Sequence, residues 1–401
     1  MRRILTSLCI ALFGLATAPA QDSSQSVVSA LEASGLEAVS VVVEEGVAYA
    51  RVEDPSYRGT YRGAAAALRV LRDGLPRCNR YELVVTEYGT PQVAVHATCD
   101  AAAWDVAVDY DVHDIQRKLA PATRSGSPYG HLDITVHPMV SLINAELDHL
   151  YDYVVALAPT FATSLWRGNH ITAQLILPIS YDTDRSDTKR FVRLGTTNIS
   201  QDFIDGGRWQ WNATAGVFLQ CRWGAHTQVT YQWNKSLTLG AQAGYTGDFY
   251  ADDDGWHACA LKNFNFLIRA SYYERYTDLE VELTGGRFMY GDYGVRGDIS
   301  RHFGDYAIGV YGILTGGEEN AGFHFAIPLG PKRQKRTGFL RPRLPEYFDW
   351  EYSMVSNFEY TDEKMGQQYE TLPDKNHSAH YWKARYVENY LKKCLNNGTK
   401  D

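Results

Sequence analysis

Two carboxylates, Glu280 and Glu282, stand at i and i+2 in the run Leu279-Glu280-Val281-Glu282-Leu283, so both project from one face of a strand. Arg296 and Asp298 repeat that spacing on a neighbouring strand, and Arg269 joins them as a polar-face candidate. Interleaved acids and bases at this spacing make a charged constriction or a sugar-binding surface. They also make a salt-bridge ladder that fills a narrow interior, which is the commoner arrangement. No catalytic constellation accompanies them. The chain has no G-x-S-x-G, H-E-x-x-H or P-loop, and no G-x-G-x-x-G in strand–helix context. His131, His137, His149, His170, His226, His302 and His324 are scattered through strand positions. The expectation is therefore no enzyme and no cofactor, with a hydrolase built from Ser and His on facing strands left open as a minor alternative. Asp182-x-Asp184 and Asp252-Asp253-Asp254-Gly255 lack the spacing and distal Glu of a calcium loop, so solvated loops and no metal site are expected.

The elements that carry these residues alternate apolar and polar side chains with period two. Trp209, Trp211, Ala213, Ala215, Val217 and Leu219 alternate with Gln210, Asn212, Thr214 and Gln220. Leu237, Leu239, Ala241, Ala243 and Tyr245 alternate with Thr238, Gly240 and Gln242, and Phe323, Phe325 and Ile327 with Gly322 and His324. Such segments recur from 131 to 330, about 12 of them at about 9–14 residues each, long for soluble strands and suited to tilted spanning ones. The expected fold is mainly β: an antiparallel up-and-down transmembrane barrel preceded by a small α/β module. Periodicity alone does not tell whether the apolar face looks out to lipid or in to a sandwich core. Segment length and aromatic strand ends at Trp209, Trp211, Tyr245 and Tyr290 favour the barrel. Lys235, Tyr276 and Asp305 fall in tight turns, whereas Asp182 to Lys189 and Asp248 to Gly255 are longer polar loops.

Ahead of the barrel, residues 21–100 read as an αββαββ module. Its helices lie around Val27–Leu36 and Tyr61–Leu75, and its strands at Ala38–Val43, Val47–Val52, Tyr81–Thr86 and Gln92–Ala97, with the helices on one face. Residues 101–130 read as a connector. Residues 331–401 form a basic and aromatic tail that starts with Pro331–Arg336, includes a possible strand from Tyr347, and ends in a helix over Ser378–Leu395. Residues 1–20 have the form of a cleaved signal peptide: Arg2 and Arg3, an apolar run from Ile4 to Leu15, and Ala18-Pro19-Ala20. Five cysteines follow it. Cys78 and Cys99 flank two strands and could pair in an oxidising compartment, while Cys221, Cys259 and Cys394 stand apart without metal-ligand spacing. The chain has 39 Lys+Arg against 47 Asp+Glu and no like-charge block before residue 331, which argues against nucleic-acid binding. Its 27 Tyr, 9 Trp and 34 Gly suit aromatic girdles and close strand packing.

One stretch is more specific. Gly286-Arg287-Phe288-Met289-Tyr290-Gly291-Asp292-Tyr293-Gly294 is followed by Ser300-Arg301-His302-Phe303-Gly304, by Ile308-Gly309-Val310-Tyr311-Gly312, and by Ala321-Gly322-Phe323-His324-Phe325-Ala326-Ile327-Pro328-Leu329. This order resembles the C-terminal half of the YjbH/GfcD family of exopolysaccharide and capsule outer-membrane proteins. Leu31–Leu36, Val52–Arg58 and Tyr81–Val85 resemble the α/β segment of that family. The resemblance implies a location in the outer membrane of a Gram-negative bacterium and a part in making or exporting a surface polysaccharide. It also implies outer-membrane lipid, the polysaccharide, and periplasmic or outer-membrane export proteins as partners. Members usually carry a further β-rich half, so an open secretion pore does not follow, and a non-conducting anchor that docks periplasmic partners is the alternative. At the strand end, Gly291 and Gly294 are expected in a tight turn or bulge, with Arg287 able to pair with Asp292.

Overall fold

The computed structural model describes residues 18–100, 103–143, 152–182, 188–335, 338–353, 366–373 and 382–397. Most of the expected signal peptide lies outside them. The described chain is mainly β, with 58% strand and 14% helix.

The N-terminal module begins with α1 (Ala18–Ala33), β1 (Glu37–Glu44), β2 (Val47–Glu53), α2 (Arg62–Gly74), β3 (Arg80–Glu87) and β4 (Thr90–Asp100). Each hairpin turns through two residues with positive φ, Glu45-Gly46 and Tyr88-Gly89, whose twist suits tight antiparallel pairs. The second turn thus sits just before the expected Gly89-Thr90-Pro91. The strand β2 runs parallel to β3 because α2 crosses between them. Residues 101–130, expected as a connector, instead supply β5 (Ala103–Asp109) and α3 (His113–Leu119). In β5, buried Trp104, Val106 and Val108 alternate with exposed Ala103, Asp105 and Ala107, which is ordinary period-two patterning. The sheet order is β1-β2-β3-β4-β5. The helices cover both faces rather than one. Leu31, Leu68 and Leu71 pack with Leu83, Val85 and Val95, while Ile115 and Leu119 of α3 pack against Val84 and Ala94 on the reverse side.

Cys78 and Cys99 stand as free thiols, which corrects the expected disulfide. Cys78 is buried in the module core and Cys99 packs against that core, each as a small apolar side chain. Burial pushes the Cys78 thiol above its ordinary pKa.

A second, 16-stranded sheet follows. Its strands from residue 132 to 328 are β6 (Leu132–Ile143), β7 (Asp152–Thr163), β8 (Asn169–Asp182), β9 (Thr197–Phe203), β10 (Trp209–Phe218) and β11 (Arg222–Gln232), then β12 (Leu237–Asp252), β13 (Asn263–Glu274), β14 (Leu279–Arg287), β15 (Tyr293–Phe303), β16 (Tyr306–Thr315) and β17 (Glu318–Pro328). Each pairs antiparallel with the next, and Arg193–Leu194 and Gly255–Ala258 are short side strands. The tail adds β18 (Leu340–Arg343) and β19 (Tyr347–Ser353). These two occupy opposite ends of the pairing order, β18 parallel to β6 and β19 antiparallel to β17, although only Leu344, Pro345 and Glu346 separate them in the chain. Trp350 of β19 also donates from Nε1 to the carbonyl of Val140 in β6 at 3.1 Å. No closed barrel is formed by continuous backbone pairing among the described residues.

The polarity of this sheet is inverted relative to a soluble core. Val281, Leu283, Val295, Ile299, Ile308 and Val310 are exposed, while the alternate Thr284, Asp298, Ser300, His302 and His324 are buried. Exposed aromatics gather at both strand ends. Phe203, Trp209, Trp233, Phe303 and Tyr306 lie toward the module, and Tyr181, Tyr245, Phe264 and Tyr293 lie at the other end. The tight turns at Lys235, Tyr276 and Asp305 all open toward the module. The loop expected over Asp248–Gly255 is instead mostly strand, since β12 runs on to Asp252 and pairs with Gly255–Ala258 through Asp253-Asp254, and the Asp182–Lys189 loop lies largely outside the described residues.

The C-terminal helix α4 (Ala384–Asn396) ends at the module, not in the sheet. Its Tyr386, Val387, Leu391 and Cys394 join the module core, and Asn396 brackets Trp104, accepting from its N–H at 2.9 Å and donating to its carbonyl at 3.0 Å.

Candidate functional site: a polar cavity inside the large sheet

The inward face of β10–β15, β19 and two tail segments enclose a cavity of about 480 Å³. All five of the expected polar-face residues line it: Arg269, Glu280, Glu282, Arg296 and Asp298. Period-two alternation brings them together, because Ser271 faces Glu282 across the β13–β14 pair and Glu282 faces Asp298 across β14–β15. Their charges are paired. Arg269 meets Glu282 at 3.3 Å, and Arg296 meets Glu351 at 2.8 Å and Asp298 at 3.2 Å. Asp298 also accepts from Ser300 at 2.9 Å and contacts His324 at 3.0 Å. Glu280 receives the Lys383 ammonium at 2.9 Å, the Ser271 hydroxyl at 2.6 Å and His302 Nε2 at 3.1 Å. The salt-bridge ladder is thus present, but it forms one wall of a space instead of filling it.

Three contributors were not legible as site residues. Glu351 comes from β19, Lys383 from just before α4, and a neutral wall of Gln210, Gln228, Thr230, Gln232 and Thr238 from β10–β12. The alternation at 209–220 and 237–245 marked Gln210 and Thr238 as facing the polar side, but nothing local marked the tail.

The tail segment 366–373 lies across the mouth opposite the module. Gly366 N–H donates to Asp292 Oδ2 at 2.8 Å, and Met289 N–H donates to the Gln367 carbonyl at 3.2 Å. Gln368 accepts from Gln242 at 3.2 Å and from Arg269. Tyr369 bonds Thr246 at 2.8 Å and packs its ring against Phe218 and His226. Glu370 N–H donates to Gln220 at 3.1 Å, and the Thr371 carbonyl accepts from Asn198 at 3.0 Å.

At the strand end, Gly291 adopts φ +94° in a turn closed by its N–H on the Phe288 carbonyl at 3.0 Å. Gly294 is not in that turn. It lies in β15 opposite Gly286, and a Cβ there would collide with the Leu314 carbonyl of the next strand. Arg287 and Asp292 do not pair, which corrects that expectation. The Arg287 guanidinium instead caps the carbonyls of Phe264 at 2.8 Å and Gly291 at 3.2 Å, leaving Asp292 to hold the tail.

The module closes the other mouth through charges. Asp305, in the β15–β16 turn, takes Arg58 at 2.5 Å and also Arg62, all three largely buried. Burial alone would raise the Asp305 carboxyl, but the two guanidiniums hold it below its usual range. Arg341 reaches Glu37, Lys393 reaches Asp278 at 2.9 Å, and Lys235 reaches Glu388 at 3.3 Å. The basic run adds backbone bonds, Arg58 N–H to the Lys332 carbonyl at 2.9 Å and Gln334 N–H to the Ser56 carbonyl at 2.8 Å.

The arrangement offers a polar chamber with dual hydrogen-bonding groups and, among the described residues, no cluster of His, Cys, Asp and Glu able to hold a metal. Ser300 on its wall lies 3.4 Å from His324 Nε2, which also meets Asp298 at 3.0 Å. Comparison with known proteins brings no family model that matches the chain and no matching curated protein.

Proposed function

We propose that this chain is an outer-membrane β-barrel protein that serves the production or export of a surface polysaccharide. The observation that carries the membrane part is the inverted polarity of the large sheet: aliphatic side chains outside, aromatic girdles at both strand ends, and Ser, Thr, His and acids inside. In water an exposed apolar band of this extent would aggregate, and in hydrocarbon it is what a closed sheet needs. Closure is read from the seam, where one broken strand, β18 then β19, pairs with both the first and the twelfth strands. The polysaccharide part rests on the resemblance of residues 286–329 and of the module segments. With the module on the side of the tight turns, that side is the periplasmic one.

The tail favours the second reading within this frame, a non-conducting anchor whose module docks periplasmic export components. Residues 366–373 lie across the far mouth and α4 stands at the near one. Fractionation tests the location. The protein is expected in the outer membrane and released only by detergent, and recovery from the soluble periplasm would overturn the proposal. Planar-bilayer conductance separates the readings. The full chain is expected to be silent, and steady channels from it would return the pore reading.

A further inference from the structure

The cavity has two unlike walls. On one, each cation named above already has a carboxylate partner. On the other, the groups are neutral and incompletely used. Gln228 reaches Thr230 only at 3.3 Å, and Gln210, Gln232 and Thr238 stand beside them on the cavity surface. An amide wall of this kind matches groups that both donate and accept, which is the chemistry of hydroxyls. Charge narrows the choice. Five lining carboxylates, Glu280, Glu282, Asp298, Glu351 and Glu370, face three lining cations, Arg269, Arg296 and Lys383, a difference of two negative charges. Coulomb repulsion in a partly dry chamber disfavours any ligand carrying carboxylates or phosphates. The indole of Trp382 at the edge adds a flat apolar face, the usual complement to a sugar ring. The volume of about 480 Å³ falls in the range of small-ligand sites.

We infer that this cavity binds a short neutral saccharide against the Gln210–Gln228–Thr230 wall and excludes acidic ones. The inference rests on the reading of the sheet as a polysaccharide-serving barrel, and it names the class of glycan.

The test uses the full chain folded in a detergent without a sugar head group. Maltotriose, cellotriose and mannotriose serve as neutral probes and trigalacturonate as the acidic one, followed by tryptophan fluorescence and calorimetry. At least one neutral probe is expected to bind, with trigalacturonate much weaker. Loss of the wall hydrogen bonds in the pair Gln228→Leu and Thr230→Val, or in Gln210→Ala alone should folding of the pair fail, is expected to weaken the neutral probe about tenfold. Glu282→Gln is expected to narrow the gap between the neutral and acidic probes. A folded protein that binds none of the neutral probes, or binds trigalacturonate as well, overturns the inference while leaving the barrel intact. Failure of the chain to enter the outer membrane overturns the barrel reading instead.

Discussion

Ile268 and Val310 point away from the sheet, 67% and 58% exposed, whereas Ser271 and Thr315 of the same strands are buried. On a water-facing surface Val310→Arg changes stability by no more than about 0.5 kcal/mol. Facing hydrocarbon near mid-membrane it costs about 2–4 kcal/mol. Urea unfolding of Val310→Arg and Ile268→Arg in lipid vesicles is expected to show the larger loss, and a neutral result would contradict the outward lipid face. The same scale governs pH in the module. Asp109 and Glu82 hold the His96 imidazole up at about 9 against its ordinary 6.5. A raised folded-state value gives stabilisation that is complete below about pH 6.5 and lost as pH rises through about 9. Glu53, pushed to about 7 mainly by burial, titrates in the same sense, so the effect is read as a difference between variants. The melting temperature of the module in wild type and in His96→Gln is expected to converge from pH 6 to pH 9.5, and a constant gap would contradict the assignment. The five candidate charges were legible because alternation alone places them on one face. Lys383 and Glu351 were not, since each reaches the cavity from a segment whose own pattern says nothing about which strands it will meet.

Among elements, α4 does the least expected work. A helix with Tyr386, Tyr390 and Leu391 on one stripe was readable, but not that its partner is a module more than 270 residues earlier in the chain. Tyr386 is 1% exposed and stands between the two bodies, its ring 5.7 Å from Tyr273 and 5.2 Å from His302 of the sheet. Truncation of so large a buried ring costs about 3–5 kcal/mol. In Tyr386→Ala, limited proteolysis is expected to digest the module while the large sheet stays resistant. Equal loss of both, or of neither, would contradict the role of α4 as the module's own core element. The β5 strand shows the opposite failure. Its alternation of Trp104, Val106 and Val108 was present in the sequence, but the acids Asp105 and Asp109 between them read as a polar connector. The free Cys78 and Cys99 show that flanking two paired strands is insufficient for a disulfide when both thiols already have apolar packing.

At the scale of the molecule, the decisive property is which face of the strands is hidden. Period two divides every strand into two faces and is silent on which one is buried, so the twelve strands between residues 132 and 328 were countable while their inside was not. Tertiary pairing settles it, with polar residues enclosed and apolar ones outside. The tail segment 366–373 borders the polar cavity on the side away from the module. The most direct test of the account is electrophoretic migration of the chain extracted from purified outer membranes, run with and without boiling. A closed barrel is expected to run faster unheated and to shift to its full apparent mass after boiling. Identical migration in both lanes, or recovery of the chain from the soluble periplasmic fraction alone, would contradict it.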